Sequence, residues 1–293
     1  PDVHSVYDHG KRAVSRFPIA TGEYYKHDYS EGVDISRYKN IPVPTSYMAE
    51  RSEYNFVGGY DYQKKAGLLH VADHHVSPGK KQWTWGCGDF GKAWDRNLTD
   101  EDGPYIELMT GMYCDNQPDF TWLKPYEEKV FKQYFMPYKA AGQVKNASIH
   151  AVLNMEVREE GVYVCVYATQ EYPEAEILVL VNCEEKAKDT AKISPVDIYE
   201  NVFQVKAEDP YCVKVIVKAN GRELISYQPV DQGIPELAEP AKAPAAPEEM
   251  LTNEELYLTA QHIEQYRHAT WQPDPYYLEG LKRDRNDIRI NNA

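Results

Sequence analysis

The chain has 293 residues, with 46 acidic against 32 basic side chains and a formal charge of −14. A surface this acidic repels phosphate backbones, which excludes nucleic acid as a natural partner. No stretch approaches the roughly 20 consecutive apolar residues of a membrane helix, and the opening PDVHSVYDHGKRAVSRF has no apolar signal-peptide core, so the chain reads as soluble with no membrane partner.

The first predicted region, residues 1–143, is rich in Gly, Pro and aromatics. Its short alternating runs, such as GLLHVADHHV and PYIELMTGMY, lie between turn signals such as VSPGKK and DEDGP. Alternation with period 2 sends successive side chains to opposite sheet faces, so the runs read as strands and the remainder as large loops of an all-β structure.

Within it, HVADHH read as one strand places His70, Ala72 and His74 on one face and Val71, Asp73 and His75 on the other. Histidine titrates near neutral pH, so the cluster suits acid–base work, a metal pair, or a structural hydrogen-bonded group. In QWTWG, Trp83 and Trp85 share a strand face, and parallel indoles there make either a platform for a pyranose ring or a large core deposit.

Next, LTDEDGPYIELMTG puts Asp100, Glu101 and Asp102 in a turn and Glu107 between Ile106 and Leu108. A carboxylate in an apolar strand is costly if buried unpaired, and burial would raise its pKa towards that of a useful acid or base. The following DNQPDF holds Asp115, Asn116 and Gln117, which donate to and accept from hydroxyl groups, or knit a loop together. Its spacing fits no EF-hand.

Residues 144–231 change texture. ASIHAVLNMEV, VYVCVYATQ, AEILVLVNC, NVFQVKA, YCVKVIVKA and ELISYQPV are β-rich segments with turn chemistry between them, the pattern of an immunoglobulin-like sandwich. Residues 232–250 lose all periodicity and read as a Pro/Ala-rich linker.

In residues 251–293, Thr252 and Glu255 form a capping box with a staple between Leu251 and Leu256, which starts a helix at Asn253. Leu256, Ala260 and Ile263 share one face of it, and Asp274-Pro275 opens a second short helix.

Two compositional features cross these boundaries. The five cysteines, Cys87, Cys114, Cys165, Cys183 and Cys212, lack CxxC spacing, which points to reduced, mostly buried thiols and leans towards the cytoplasm. Tyrosine is in excess, 24 against 7 Phe, and segments such as EYYKHDYS and GGYDYQ place it beside polar groups, a combination that suits sugar rings and wet interfaces alike. Nucleotide, P-loop, GxSxG and HExxH motifs are absent, and no cofactor or assigned metal site is implied.

NIPVPTSYM, FVGGYDYQKKAGLLHVADHHVSPGKKQWTWG, WDRNLTDEDGPYIELMTGMYCDNQPDFTWL and EEKVFKQYFMPY together resemble an uncharacterised bacterial domain-of-unknown-function family. That family joins a galactose-mutarotase-like β-supersandwich to tetratricopeptide repeats. The likeness covers roughly Pro1 to Tyr138, and the tail DRNDIRINNA is similar to the entry into the first repeat helix. It implies a supersandwich incomplete at its N-terminus, a further stretch upstream, and repeats downstream; the chain thus reads as a fragment, with any upstream signal left open.

By analogy with mutarotase-like folds, the resemblance implies a saccharide held over a concave sheet. On that reading Trp83 and Trp85 stack on the sugar, Asp100, Asp102, Asp115, Asn116 and Gln117 read its hydroxyls, and Glu107 acts with His74 or His75 if the site is catalytic. The alternatives are a non-catalytic scaffold whose helical repeats bind protein partners, and a metal hydrolase on His70, His74 and Glu107.

Overall fold

The computed structural model describes residues 3–8, 11–17, 19–20, 22–24, 26–48, 54–112, 123–230, 243–266 and 271–293. The chain is mainly β with a helical C-terminal part. Its strands are β1 (Val3–Asp8), β2 (Lys11–Phe17), β3 (Ile19–Ala20), β4 (Glu23–Tyr24), β5 (His27–Asp28), β6 (Val33–Asp34), β7 (Thr45–Met48), β8 (Phe56–Asp61), β9 (Ala66–Val71) and β10 (Gly79–Thr84). After helix α1 (Asp89–Leu98) come β11 (Glu107–Gly111), β12 (Tyr134–Lys139), β13 (Asn146–Ala147), β14 (Ala151–Arg158), β15 (Gly161–Ala168), β16 (Tyr172–Val181), β17 (Glu184–Ile193), β18 (Tyr199–Phe203), β19 (Val213–Ala219) and β20 (Arg222–Tyr227). Helices α2 (Asn253–Tyr266), α3 (Asp274–Arg283) and α4 (Ile288–Asn292) follow. None of the described helices is long and apolar enough to cross a membrane.

Contacts divide the chain into two compact units. The described residues within 13–112 and 129–230 lie in the first, and the C-terminal helices lie in the second.

In the first unit, the sheets β13-β14-β15-β18 and β17-β16-β19-β20 face each other as an immunoglobulin-like sandwich. Leu153, Met155, Val162, Val164, Val166, Ile177, Val179, Val215 and Val217 fill the space between them. The other face of β14 and β15 is covered as well. Val152, Cys165 and Tyr167 pack with Phe56, Leu69, Val71, Met136 and Tyr138 of the β12-β9-β8 sheet. Burial on both faces is why AVLNMEV and GVYVCVYA run almost continuously apolar instead of alternating.

By contrast, β17 reads EEKAKDTAKI and was not among the predicted strands. It is an edge strand whose Ala187, Ala191 and Ile193 turn to the core while Lys186, Lys188 and Lys192 form ion pairs outside. Edge strands carry such charges to block further pairing, and this masks the apolar alternation.

Among the described residues, the region before the sandwich differs from the all-β expectation by α1 and by a short 3-10 turn at Tyr38–Asn40. Gly91 allows α1. A Cβ there would sit 1.8 Å from the Gly86 carbonyl oxygen, so only glycine lets the first turn of the helix press against the Trp85–Gly86 backbone. Gly86 itself has φ +86°, a conformation that side chains resist.

In the second unit the capping box forms as expected. Thr252 Oγ1 accepts from the Glu255 amide (3.1 Å), and the Glu255 carboxylate accepts from the Thr252 and Leu251 amides. The staple does not form, because Leu251 is 86% exposed while Leu256 is fully buried with Ala260, Ile263 and Tyr276. Of the predicted linker, residues 232–242 lie outside the described residues. Pro247–Glu249 instead forms a short 3-10 turn, tied by its Pro247 and Glu248 carbonyls to the Arg283 guanidinium.

Candidate functional site

The histidine cluster departs from the expected strand geometry. Strand β9 ends at Val71, and the chain turns at Asp73, whose carbonyl accepts from the Val76 and Ser77 amides while its carboxylate accepts from the His75 amide. A short polar side chain bonding its own backbone two residues on is a standard way to break a strand. His70 and His74 therefore do not share a sheet face.

His70 is buried, and its Nε2 donates to Gln133 Oε1 (2.9 Å), which also accepts from Thr110. Its Nδ1 is buried without a hydrogen-bond partner among the described residues. Burial holds its pKa below the ordinary histidine value.

His74 and His75 lie side by side in the turn, with ring centroids 3.9 Å apart. Asn55 Oδ1 accepts from both the amide and Nδ1 of His74, and Asp73 Oδ1 accepts from Nδ1 of His75. Asp73, His74 and His75 offer potential metal ligands within 4.8 Å of one another. His70, His74 and Glu107, the trio considered for a metal on sequence, do not come together.

Glu107 is remote from the histidine turn. Strand β10 pairs with β11 in the register Gly79 to Gly111 and Trp83 to Glu107. Ser77 Oγ ties the turn to the Gly111 carbonyl (3.0 Å). Four strand residues, about 13 Å, then separate that end from Glu107. Glu107 thus lies at the far end of β11 from the Gly111 carbonyl to which Ser77 of the histidine turn is tied.

Glu107 does meet the tryptophans, lying across from Trp83. Trp83 and Trp85 contact each other edge to face, 4.5 Å between centroids at 81°, rather than as parallel indoles. The parallel partner of Trp85 is Trp94 of α1, at 4.4 Å and 6°. Gly91 sets this up by drawing α1 onto the Trp85 backbone one turn before Trp94. Asp100 and Asp102 lie on the exposed turn after α1. Asp115, Asn116 and Gln117 lie outside the described residues.

A cleft opens elsewhere, on the other face of β11. Its volume is about 780 Å³, and it lies between the Ser36–Lys39 segment, the Gly58–Gln63 stretch and Pro104–Leu108. That size suits a small oligosaccharide or another drug-sized ligand. Gly59 leaves its floor bare beside Leu108, while Tyr38, Tyr60, Tyr62 and Tyr105 supply its aromatic surface and Arg37, Gln63 and Gln82 its polar groups. Tyr60 and Tyr62 pack edge to face at 5.0 Å, and the Arg37 guanidinium lies 5.2 Å from the Tyr62 ring centroid.

Three of these tyrosines have perturbed hydroxyls, and burial raises Tyr60 among them. Burial, then Asp95 and Cys87, push Tyr38 up to about 12. Burial raises Tyr105 too, with Glu107 and Asp95 adding to it. All three therefore remain neutral hydroxyls at physiological pH. Tyr105 donates to Glu107 Oε1 (3.2 Å), so the predicted carboxylate communicates with the cleft through a tyrosine the sequence reading did not single out. The signal was the tyrosine excess itself, GGYDYQ above all.

Of the four described cysteines only Cys165 is buried and none is in a disulfide, so the expectation of mostly buried thiols holds for one of them.

Residues 8–146, a little under half of the chain, match the model of a domain of unknown function (DUF5107). Residues 146–227, which span the sandwich, match the second domain of YphG-like proteins. Among solved structures the chain is similar to a TPR-domain containing protein from Parabacteroides distasonis ATCC 8503, at 23% identity and a TM-score of 0.32. That likeness covers 47% of this chain and 22% of the other, so this chain spans less than a quarter of that structure's length. The family matches support a relationship to uncharacterised domains, as the resemblance in sequence implied.

Proposed function

We propose that this chain binds a saccharide in the tyrosine-lined cleft of its N-terminal sheet region. The carrying observation is the convergence of Tyr38, Tyr60, Tyr62 and Tyr105 with Arg37, Gln63 and Gln82 around about 780 Å³. Tyrosine offers a sugar both a flat apolar face and a hydroxyl, and neutral hydroxyls can donate and accept. The proposal keeps the mutarotase-like analogy for residues 1–143, with residues 144–231 as a supporting sandwich and the helices of 251–293 as the start of repeats.

It moves the stacking role from Trp83 and Trp85 to the cleft tyrosines. If the site is catalytic, Glu107 acts through Tyr105, which passes a sugar hydroxyl proton to it, and His74 and His75 take no part in that step. The test is a glycan array of neutral and acidic oligosaccharides with the whole chain and with Tyr62→Ala. Retention of at least one glycan by the parent chain, weakened about tenfold or more by the substitution, is expected. A correctly folded chain that retains none sinks the reading.

A second reading, a protein-docking scaffold, is favoured by Leu258, Leu278 and Ile288, which are 53%, 65% and 75% exposed on the helices. It predicts that Leu258→Asp with Leu278→Asp abolishes capture of a protein partner while leaving glycan retention unchanged. Full capture by that double variant would count against it.

A further inference from the structure

We infer that the saccharide taken by this cleft is a carboxylated one, an oligosaccharide of uronic acids held by Arg37 and Lys39. The inference rests on the saccharide reading above and adds the class of sugar.

The charge of the lining is the first observation. The chain carries −14, yet the cleft wall presents Arg37 and Lys39 against a single acid, Asp61. Asp61 is occupied locally: its Oδ1 accepts from the Gln63 amide (2.8 Å) and the Lys64 amide (3.1 Å), which fixes the β8–β9 turn. The neighbouring acids Asp34, Asp95 and Glu107 lie outside the lining. A cationic patch inside an acidic protein draws anions to that one place and repels them elsewhere.

The setting of Arg37 is the second. Its side chain is 42% exposed and its Nε lies 3.6 Å from the Asp34 carboxylate. An exposed ion pair of that length contributes little. The same guanidinium lies over Tyr62. A hexuronate bears its planar carboxylate directly on the pyranose ring. A ring resting against Tyr60 and Tyr62 would thus bring that carboxylate to Arg37, whose planar fork matches it with two charge-assisted hydrogen bonds. Lys39 adds a second, more flexible cation on the same wall.

The experiment is titration calorimetry of the whole chain with matched tetramers: galacturonate, glucuronate and mannuronate against galactose, glucose and mannose. One uronate should bind about tenfold more tightly than its neutral counterpart at low salt, a gap that narrows as salt rises. Arg37→Gln and Lys39→Gln together should erase the gap, bringing uronate affinity down to that of the neutral counterpart measured on the same variant. Equal affinities within each pair, binding of neutral tetramers alone, or a gap that survives both substitutions would each overturn the uronate inference while the saccharide reading stands. Binding of none of the six would remove both.

Discussion

Strands β14 and β15 and the stretch from β8 to β11 are built by opposite means. The sandwich strands fill two cores with branched apolar side chains, and any residue of similar shape and volume would serve at most of their positions. The β8–β11 stretch depends on what is missing: Gly58 against the Leu68 backbone, Gly59 under the cleft, Gly86 at the turn and Gly91 beneath Trp85. Bulk makes the frame, and its absence makes the site. The two regions should therefore fail differently when altered.

The largest effect belongs to the frame. Leu153→Ala, at a fully buried position between the sheets, should cost about 2–5 kcal/mol, read as a lower urea midpoint at unchanged slope. A cost below about 1 kcal/mol would break the contrast.

Lys80 sharpens it next, because it is a charge in the interior of the site-bearing region. It is 3% exposed, reaches the Tyr54 carbonyl, and burial lowers its pKa to about 8 from 10.5. Below pH 8 the folded chain carries the full cost of an interior ammonium. Between pH 8 and 10.5 the folded chain has released the proton that the unfolded chain still holds, so stability rises by roughly 3 kcal/mol. Above 10.5 the gain is complete. Thermal melts should show this rise in the parent chain relative to Lys80→Met, and parallel profiles for the two would refute it.

Gly91→Ala should cost about 1–3 kcal/mol by pushing α1 off the Trp85–Gly86 backbone. The separation of Trp94 from Trp85 should appear as a changed near-ultraviolet circular dichroism. An unaltered spectrum would show that the stack does not depend on the missing Cβ.

Smallest in stability is Tyr62→Ala. Tyr62 is 53% exposed, so the melt should shift by no more than about 0.5–1 kcal/mol while glycan retention drops. A large loss of stability with it would mean that the cleft is frame rather than site.

Legibility in the sequence follows the same division. In the sandwich, turn residues at short intervals announced the strands, and only the charge-laden edge strand β17 escaped. The helix α2 was legible to its first residue because its capping box is a local contact. In the site region, HVADHH looked like a continuing strand, and nothing nearby in sequence marks Asp73 as the residue that ends it except its own turn-forming side chain. Helix α1 escaped because it is short and enclosed by glycines. Phe90, Trp94 and Leu98, four residues apart, were its available signal, and they remain largely exposed.

The sequence by itself determined the mainly β character, the sandwich, the capped helix and the abundance of tyrosine, because these rest on periodicity, turn chemistry and composition within a few residues. Only the tertiary structure decided which aromatics meet. It turned Trp83 edge-on to Trp85, stacked Trp94 from a helix on it, set Glu107 about 13 Å of strand away from the Gly111 end to which the histidine turn is tied, and gathered Tyr38, Tyr60, Tyr62 and Tyr105 around one cleft. Those relations come from strand register and from backbones that approach where glycines permit. They join residues too distant along the chain for local pattern to encode.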